Sequence, residues 1–176
     1  MNNETEIINR AKEGDKDAMA VLIENNQKNV FALAYRMTGN RDDALDITQD
    51  TFIKAFRGIK RFRGDSKIST WLYTIASNLS KDHLRKHGRI DVVSLEEDWL
   101  KAGTASPYEE TSHNERKELV KRAIAALPPK MRAAFVLRYE ENLPLAEIAQ
   151  ILGKSEGTVK AQIHQATEKI RALVGE

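Results

Sequence analysis

Residues 143–174 read LPLAEIAQILGKSEGTVKAQIHQATEKIRALV, and this run decides the fold. Leu145 to Leu152 has the apolar spacing of a short helix, Gly153 suits a C-terminal turn, and Ser155 is placed to cap the helix that follows. Two helices joined by so tight a glycine-containing turn are the outline of a helix-turn-helix. With Val159 at zero and about 100° per residue, Val159, Ile163, Ala166 and Ile170 fall on one apolar stripe. Lys160, Ala161, His164, Gln165 and Glu168 point away from it. Short polar side chains on that outer face suit the donors and acceptors of base edges in a major groove. A helical hairpin with a solvated face would carry the same residue types, so spacing alone leaves both readings open.

Working back toward the N-terminus, no run sustains period-two alternation, and almost every segment reads at helical period. Asp15 is placed to cap a long helix running to about Thr38, where Gly39-Asn40 supplies a stop. A second helix is expected over Asp42 to Ile59, with Leu45, Phe52, Phe56 and Ile59 on its core stripe. After the break at Phe62-Arg63-Gly64-Asp65-Ser66, a third runs from about Lys67 to Lys86, with Ile68, Leu72, Ile75 and Leu79 inward. Residues 91–112 are acidic and weakly periodic and read as a flexible linker, with Leu95, Trp99 and Leu100 as a candidate docking helix. Ser112 and Glu115 have the form of a capping box, Pro128-Pro129 ends that helix, and Met131 to Glu141 makes the next. The expected fold is all-α: a helical domain over 1–90, a linker over 91–112, and a helix-turn-helix domain over 113–176.

Composition narrows the function. The 176 residues are 41% hydrophobic and 31% charged, without cysteine, which excludes disulfides and thiolate metal sites. The first ten residues lack the apolar core of a signal peptide, and no stretch has the length of a membrane span, so a cytoplasmic location is expected. A net charge of only +2 argues against a protein that coats nucleic acid. The charge is unevenly spread: residues 54–67 carry six basic side chains and one acid, and residues 91–115 carry seven acids and one lysine. Separate working surfaces fit that alternation, as do solvated helix faces.

On the third helix, Trp71, Thr74, Asn78, Lys81 and Arg85 share an edge about 100° from the core stripe. Basic residues there can hold phosphates, Asn78 can hydrogen-bond a base, and aromatic rings can stack on unpaired bases. Phe62 with Lys60, Arg61 and Arg63 adds an aromatic and basic loop beside it. Trp71 also borders the core stripe, where simple packing would explain it. Enzymatic chemistry finds no support. His83 and His87 have the i, i+4 spacing of a metal pair but lack a third ligand. The Asp42, Asp43, Asp46, Asp50 cluster lacks the glycine of a calcium loop. There is no phosphate-cradling glycine loop and no nucleophile elbow, so no cofactor, no metal and no catalytic group is expected.

Three motifs in order carry a resemblance. The run from Asp46 to Arg57, DITQDTFIKAFR, resembles the polymerase-binding helix of bacterial sigma factors. FRGDS at 62–66 with TWLYTIASN at 70–78 resembles their −10 reading segment. Glu147-Ile148-Ala149 and Gly157-Thr158-Val159-Lys160, with the helix that follows, resemble their −35 reader. The order and short length are similar to the extracytoplasmic-function group. That resemblance implies that Asp46, Gln49, Asp50 and Lys54 contact the RNA polymerase core, whose clamp helices and flap would be the docking sites. It implies that Phe62, Arg63, Trp71 and Asn78 lie near a pocket for a flipped −10 base, with Lys81, Arg85 and Lys86 along the adjoining duplex. Ser155, Thr158, Lys160, Ala161, His164 and Gln165 would face the −35 groove. Promoter DNA and an inhibitory anti-sigma factor are the other implied partners, without membrane insertion. Many relatives carry arginines where this chain has Gln162, Gln165 and Thr167, which implies a different or weaker −35 contact. The alternative is a free-standing helix-turn-helix regulator, which would bind duplex operator without polymerase.

Overall fold

The structure is a computed structural model that describes residues 3–101 and 109–175, with side chains described for 3–87 and 115–175. Among the described residues every regular element is helical, with no strand. The elements are α1 (Asn3–Lys12), α2 (Lys16–Thr38), α3 (Arg41–Gly58), a 3₁₀ turn (Ile59–Arg61), α4 (Ile68–Lys101), α5 (Glu109–Ala125), α6 (Pro129–Phe135), α7 (Leu145–Leu152) and α8 (Glu156–Val174). A π-helical turn, Val136–Glu140, prolongs α6. The chain divides into two compact units, Met1–Ser80 with Gln150–Leu152, and Lys81–Ala149 with Gly153–Glu176. No described helix is long and apolar enough to cross a membrane.

In the first unit, α2 and α3 each start where a short polar side chain satisfies amides that the helix leaves open. Asp15 accepts from the amides of Asp17 at 2.9 Å and Ala18 at 3.1 Å. Gly39, at φ 70°, adopts the left-handed turn that ends α2, and Asn40 then caps α3 through the amides of Asp42 and Asp43. Ala34, Ala44 and Ile47 form one core cluster, with Phe31 and Leu79 packed against it. Helix α1 was not foreseen, although Ile7, Ile8 and Ala11 place a short apolar face at helical spacing, with Ala11 buried and the two isoleucines partly so.

The inward face of α3 differs from the expected one. Ala44, Ile47, Thr51, Phe52 and Ala55 are buried, whereas Leu45 is 47% and Phe56 58% exposed. Two apolar stripes share this helix, and the one with smaller residues permits closer approach to α2. Thr51 tolerates full burial because its hydroxyl donates to the Ile47 carbonyl at 2.7 Å.

Helix α4 also departs from expectation, passing Gly88 and continuing to Lys101, while α5 begins at Glu109. Both ends of the segment read as a linker are therefore helical, and Ser112 lies inside α5 rather than capping it. One interior glycine costs only about 1 kcal/mol, and residues 89–101 contain no proline. Weak periodicity there removed a burial face without removing helical propensity. The docking-helix side chains Leu95, Trp99 and Leu100 lie outside those described.

In the second unit, Ala123, Leu127, Ala166 and Ile170 make a core completed by Ile124, Met131, Phe135, Leu173 and Val174. Pro128 and Pro129 start α6, where a missing amide hydrogen is harmless. Arg132, 7% exposed, donates through Nη2 to the carbonyls of Ala125 and of Leu127, the latter at 3.3 Å. Burial pushes its guanidinium down to about 10, so it remains charged at neutral pH and ties the end of α5 to α6.

Asp15 has a second task, because Arg10 reaches its Oδ2 from α1 with Nε at 2.8 Å and Nη2 at 2.7 Å. The Ala18 amide first, and then Arg10, hold its carboxyl below the ordinary range. A depressed carboxylate stabilises the fold above its unfolded pKa and loses that contribution as pH falls through the folded one. Asp15→Asn keeps a cap acceptor but loses the ion pair. Thermal melts should show the variant less stable than wild type at pH 7, with the gap closing well below about pH 4; a pH-independent gap would contradict the account.

Candidate nucleic-acid and polymerase interfaces

The helix-turn-helix is built from its turn outward. Gly153 sits at φ 61°, and the amide of Lys154 returns to the Ala149 carbonyl at 3.0 Å, closing α7. Ser155, at φ −71° and ψ 154°, accepts the Thr158 amide at 3.1 Å to open α8. Its Oγ also lies 2.9 Å from Thr158 Oγ1, so both hydroxyls are engaged in the cap while both residues stay exposed. Val159, Ile163, Ala166 and Ile170 are buried, as their spacing required. Lys160, Ala161, His164 and Gln165 are all exposed. They form one continuous outer face, bounded on the next turn by Glu168, which Arg171 approaches at 3.4 Å.

The two aromatic residues of the first unit, both expected near a pocket for an unpaired base, differ in burial. Phe62 is only 6% exposed, with its ring centroid 5.3 Å from that of Trp71 at a tilt of 44°. The indole, partly exposed, also lies beside Gly58, where a Cβ would just reach Cζ2 at 3.4 Å. Phe62 thus supports Trp71, and Trp71 is the ring with an open edge. Arg61, Phe62, Arg63, Asp65, Ser66, Thr70, Trp71 and Thr74 line an open pocket. Asn78 is exposed two turns beyond Trp71 on the same side of α4. Thr74, between them, uses its hydroxyl on the Thr70 carbonyl at 3.0 Å.

The cations around this face are not equivalent. Arg63 pairs with Asp65 at 3.0 Å, and Arg85 pairs with Asp82. Lys86 is exposed, and Lys81 is half-buried. Burial, then the Arg85 charge, lowers the Lys81 ammonium from its ordinary value. The rings of His83 and His87 stack at 4.4 Å, and His87 Nδ1 donates to the His83 carbonyl at 3.1 Å. Among the described residues, no group of three His, Asp or Glu could hold a metal ion.

On α3, Asp46, Gln49, Asp50 and Lys54 are exposed. With Asp46 at zero and about 100° per residue, Gln49, Ile53, Phe56 and Leu45 lie within a third of a turn on one side, and Asp50 and Lys54 on the other. Ile53 is 41% exposed, so three large apolar side chains flank the polar ones. Sequence reasoning assigned Leu45 and Phe56 to the core and overlooked Ile53. The signal was the competing Ala44, Ile47, Thr51, Ala55 stripe, sufficient by itself to seat the helix.

Comparison with known proteins matches both units. Residues 22–90 match Sigma-70 region 2, and residues 117–170 match Sigma-70 region 4. The chain is similar to the ECF RNA polymerase sigma factor SigW of Bacillus subtilis, 36% identical over 173 residues, with 93% of this chain and 92% of the relative covered. It is likewise 35% identical to the ECF RNA polymerase sigma-E factor of Escherichia coli, covering 93% and 90%. In fold it is similar to the sigma factor RpoE of Bartonella quintana, solved in complex with the anti-sigma factor NepR. That likeness has a TM-score of 0.64 at 24% identity and covers 89% of this chain and 96% of the other. With both regions in order and near-complete coverage of such relatives, the chain belongs to the extracytoplasmic-function group of bacterial RNA polymerase sigma factors.

Proposed function

We propose that this chain binds RNA polymerase core and directs initiation at specific promoters, reading the −10 element with its first unit and the −35 element with its helix-turn-helix. The observation that carries the reading is the co-occurrence, in one chain, of region 2 and region 4, each with an exposed face suited to its task. The factor works in the cytoplasm by positioning polymerase and DNA and makes or breaks no bond itself. In vitro transcription with purified core polymerase is the direct test: this chain alone must confer initiation, and tight operator binding without polymerase would favour a free-standing regulator.

Polymerase contact falls to α3. Asp46, Gln49, Asp50 and Lys54 supply polar contacts to the clamp helices, and Leu45, Ile53 and Phe56 supply the apolar area that gives such an interface most of its energy. The second unit docks on the flap. Leaving three large apolar side chains in water on one helix is unfavourable, which supports an anti-sigma factor that covers the α3 face of the free protein. At the −10 element Trp71 stacks on an unpaired base, Asn78 hydrogen-bonds it, and Phe62 backs the indole. Arg63, Lys81, Arg85 and Lys86 follow phosphates. Extruding a base costs a few kcal/mol, recovered by stacking at about 1–3 kcal/mol per base and by hydrogen bonds. At the −35 element Lys160, Ala161, His164 and Gln165 meet the groove, with Ser155 and Thr158 at the start of the helix, where amides suit phosphate.

Three measurements separate these roles. Phe56→Ala should weaken core binding by roughly 1–2 kcal/mol, about five- to thirtyfold, while leaving the melting temperature nearly unchanged because the ring is exposed; unchanged affinity would remove α3 from the interface. Asn78→Ala should reduce open-complex formation far more than binding to duplex −35 DNA, and equal losses would make Asn78 structural. Glutamine pairs bidentately with adenine, whereas arginine prefers guanine O6 and N7, a discrimination of about 1–3 kcal/mol. Transcription of a randomised −35 library should therefore show Gln165→Arg shifting one position from A·T toward G·C. The same base selected at every position would mean that Gln165 reads nothing.

A further inference from the structure

Helix α1 lies before residue 22, where the region 2 match begins, yet its last residue reaches the aromatic pair. The Lys12 ammonium sits over the ring of Phe62, 5.6 Å from its centroid, within the range at which a cation is attracted by the electron-rich face of an aromatic ring. Its place there is fixed. Arg10 grips Asp15 with two nitrogens, the Asp15 amide returns to the Arg10 carbonyl at 3.0 Å, and Ala11 is 5% exposed. Helix α1 also packs on the 3₁₀ turn Ile59–Arg61 that leads into Phe62. The lysine covers one face of the buried ring, so that face is not open to stack on a base.

We propose that Lys12 is a positioning residue for the −10 pocket: its ammonium orients Phe62, and Phe62 holds the Trp71 indole at the tilt at which it meets the unpaired base. The inference rests on the pocket's role proposed above and deepens it, extending the −10 site to an N-terminal helix that the region 2 match does not include. Loss of the charge loosens Phe62, lets the indole reorient, and reduces opening of the −10 element. Core binding and −35 recognition involve other surfaces and keep their affinities.

The experiment uses full-length protein carrying Trp99→Phe, which leaves Trp71 as the only tryptophan, since the chain has two. In the free protein, Lys12→Met should shift the Trp71 emission and Lys12→Arg should restore it, with unchanged helical circular dichroism; Lys12→Gln is the second variant should the methionine variant fold poorly. In holoenzyme, promoter opening is followed by a fluorescent adenine analogue at the unpaired −10 base. Lys12→Met should lower opening about two- to fivefold, as expected for one cation–π contact, with rescue by arginine. Opening equal to wild type would overturn the proposal. So would reduced opening with unchanged Trp71 emission and a salt dependence shallower by about one charge, which would make Lys12 a phosphate contact. If wild-type holoenzyme opens no promoter, the proposed function fails instead, and the Trp71 emission still decides whether Lys12 positions the ring.

Discussion

Close packing between small residues governs the first unit. Ala34 of α2 and Ala44 of α3 are both fully buried in the same cluster, with Ile47 beside them. Helices approach to the distance their contact side chains allow, about 8–10 Å between axes, and alanine permits the short end of that range. Once α3 is seated on its small residues, its larger ones have nowhere inside to go. Leu45, Ile53 and Phe56 are left in water on the face that carries Asp46 and Gln49. The packing that stabilises the unit is therefore also what creates a surface requiring a partner, and stability and function are divided between two stripes of one helix.

The aromatic pocket follows a related logic. A base-stacking ring is useful only if it is already oriented, because ordering it at the moment of binding would cost side-chain entropy. Burial of Phe62, the tilted packing of the two rings and the cation over Phe62 each limit the freedom of Trp71 while leaving it partly exposed. The polar knot at Asp15 serves the same end at a distance. One carboxylate caps α2 and clasps α1, so the start of the domain and the floor of the pocket are mechanically joined.

The second unit solves a simpler problem, presenting one helix face whose Lys160, Ala161, His164 and Gln165 are exposed. Gly153 and Ser155 terminate α7 and start α8 within three residues, and the buried stripe of α8 is satisfied by α5 and α6. The outer face is left free by subtraction. Arg132 secures the other end of this scaffold by binding the last carbonyl of α5, Ala125, and that of Leu127 just beyond it with a buried guanidinium.

Where one local signal acts alone, the amino-acid sequence determined the outcome. Caps at Asp15 and Ser155, the stop at Gly39 and the inner and outer faces of α8 are all readable from residue type and period, since each depends on atoms within a turn of chain; the prolines were read as an end to α5, and the structure also makes Pro129 the first residue of α6. The helix-turn-helix at 145–174 was legible for the same reason, whereas the segment at 62–78 could be told from simple packing only through its resemblance to sigma factors. Tertiary structure decided the cases in which two local answers were equally good. Helix α3 carries two apolar stripes, and only the surface of α2 selects which one is buried. Phe62 and Trp71 are both aromatic and both near basic residues, and only packing makes one the support and the other the exposed ring. Helix α1 does carry a short apolar pattern in Ile7, Ile8 and Ala11, but its place also depends on an ion pair and a cation over a ring, contacts between residues that no periodicity connects.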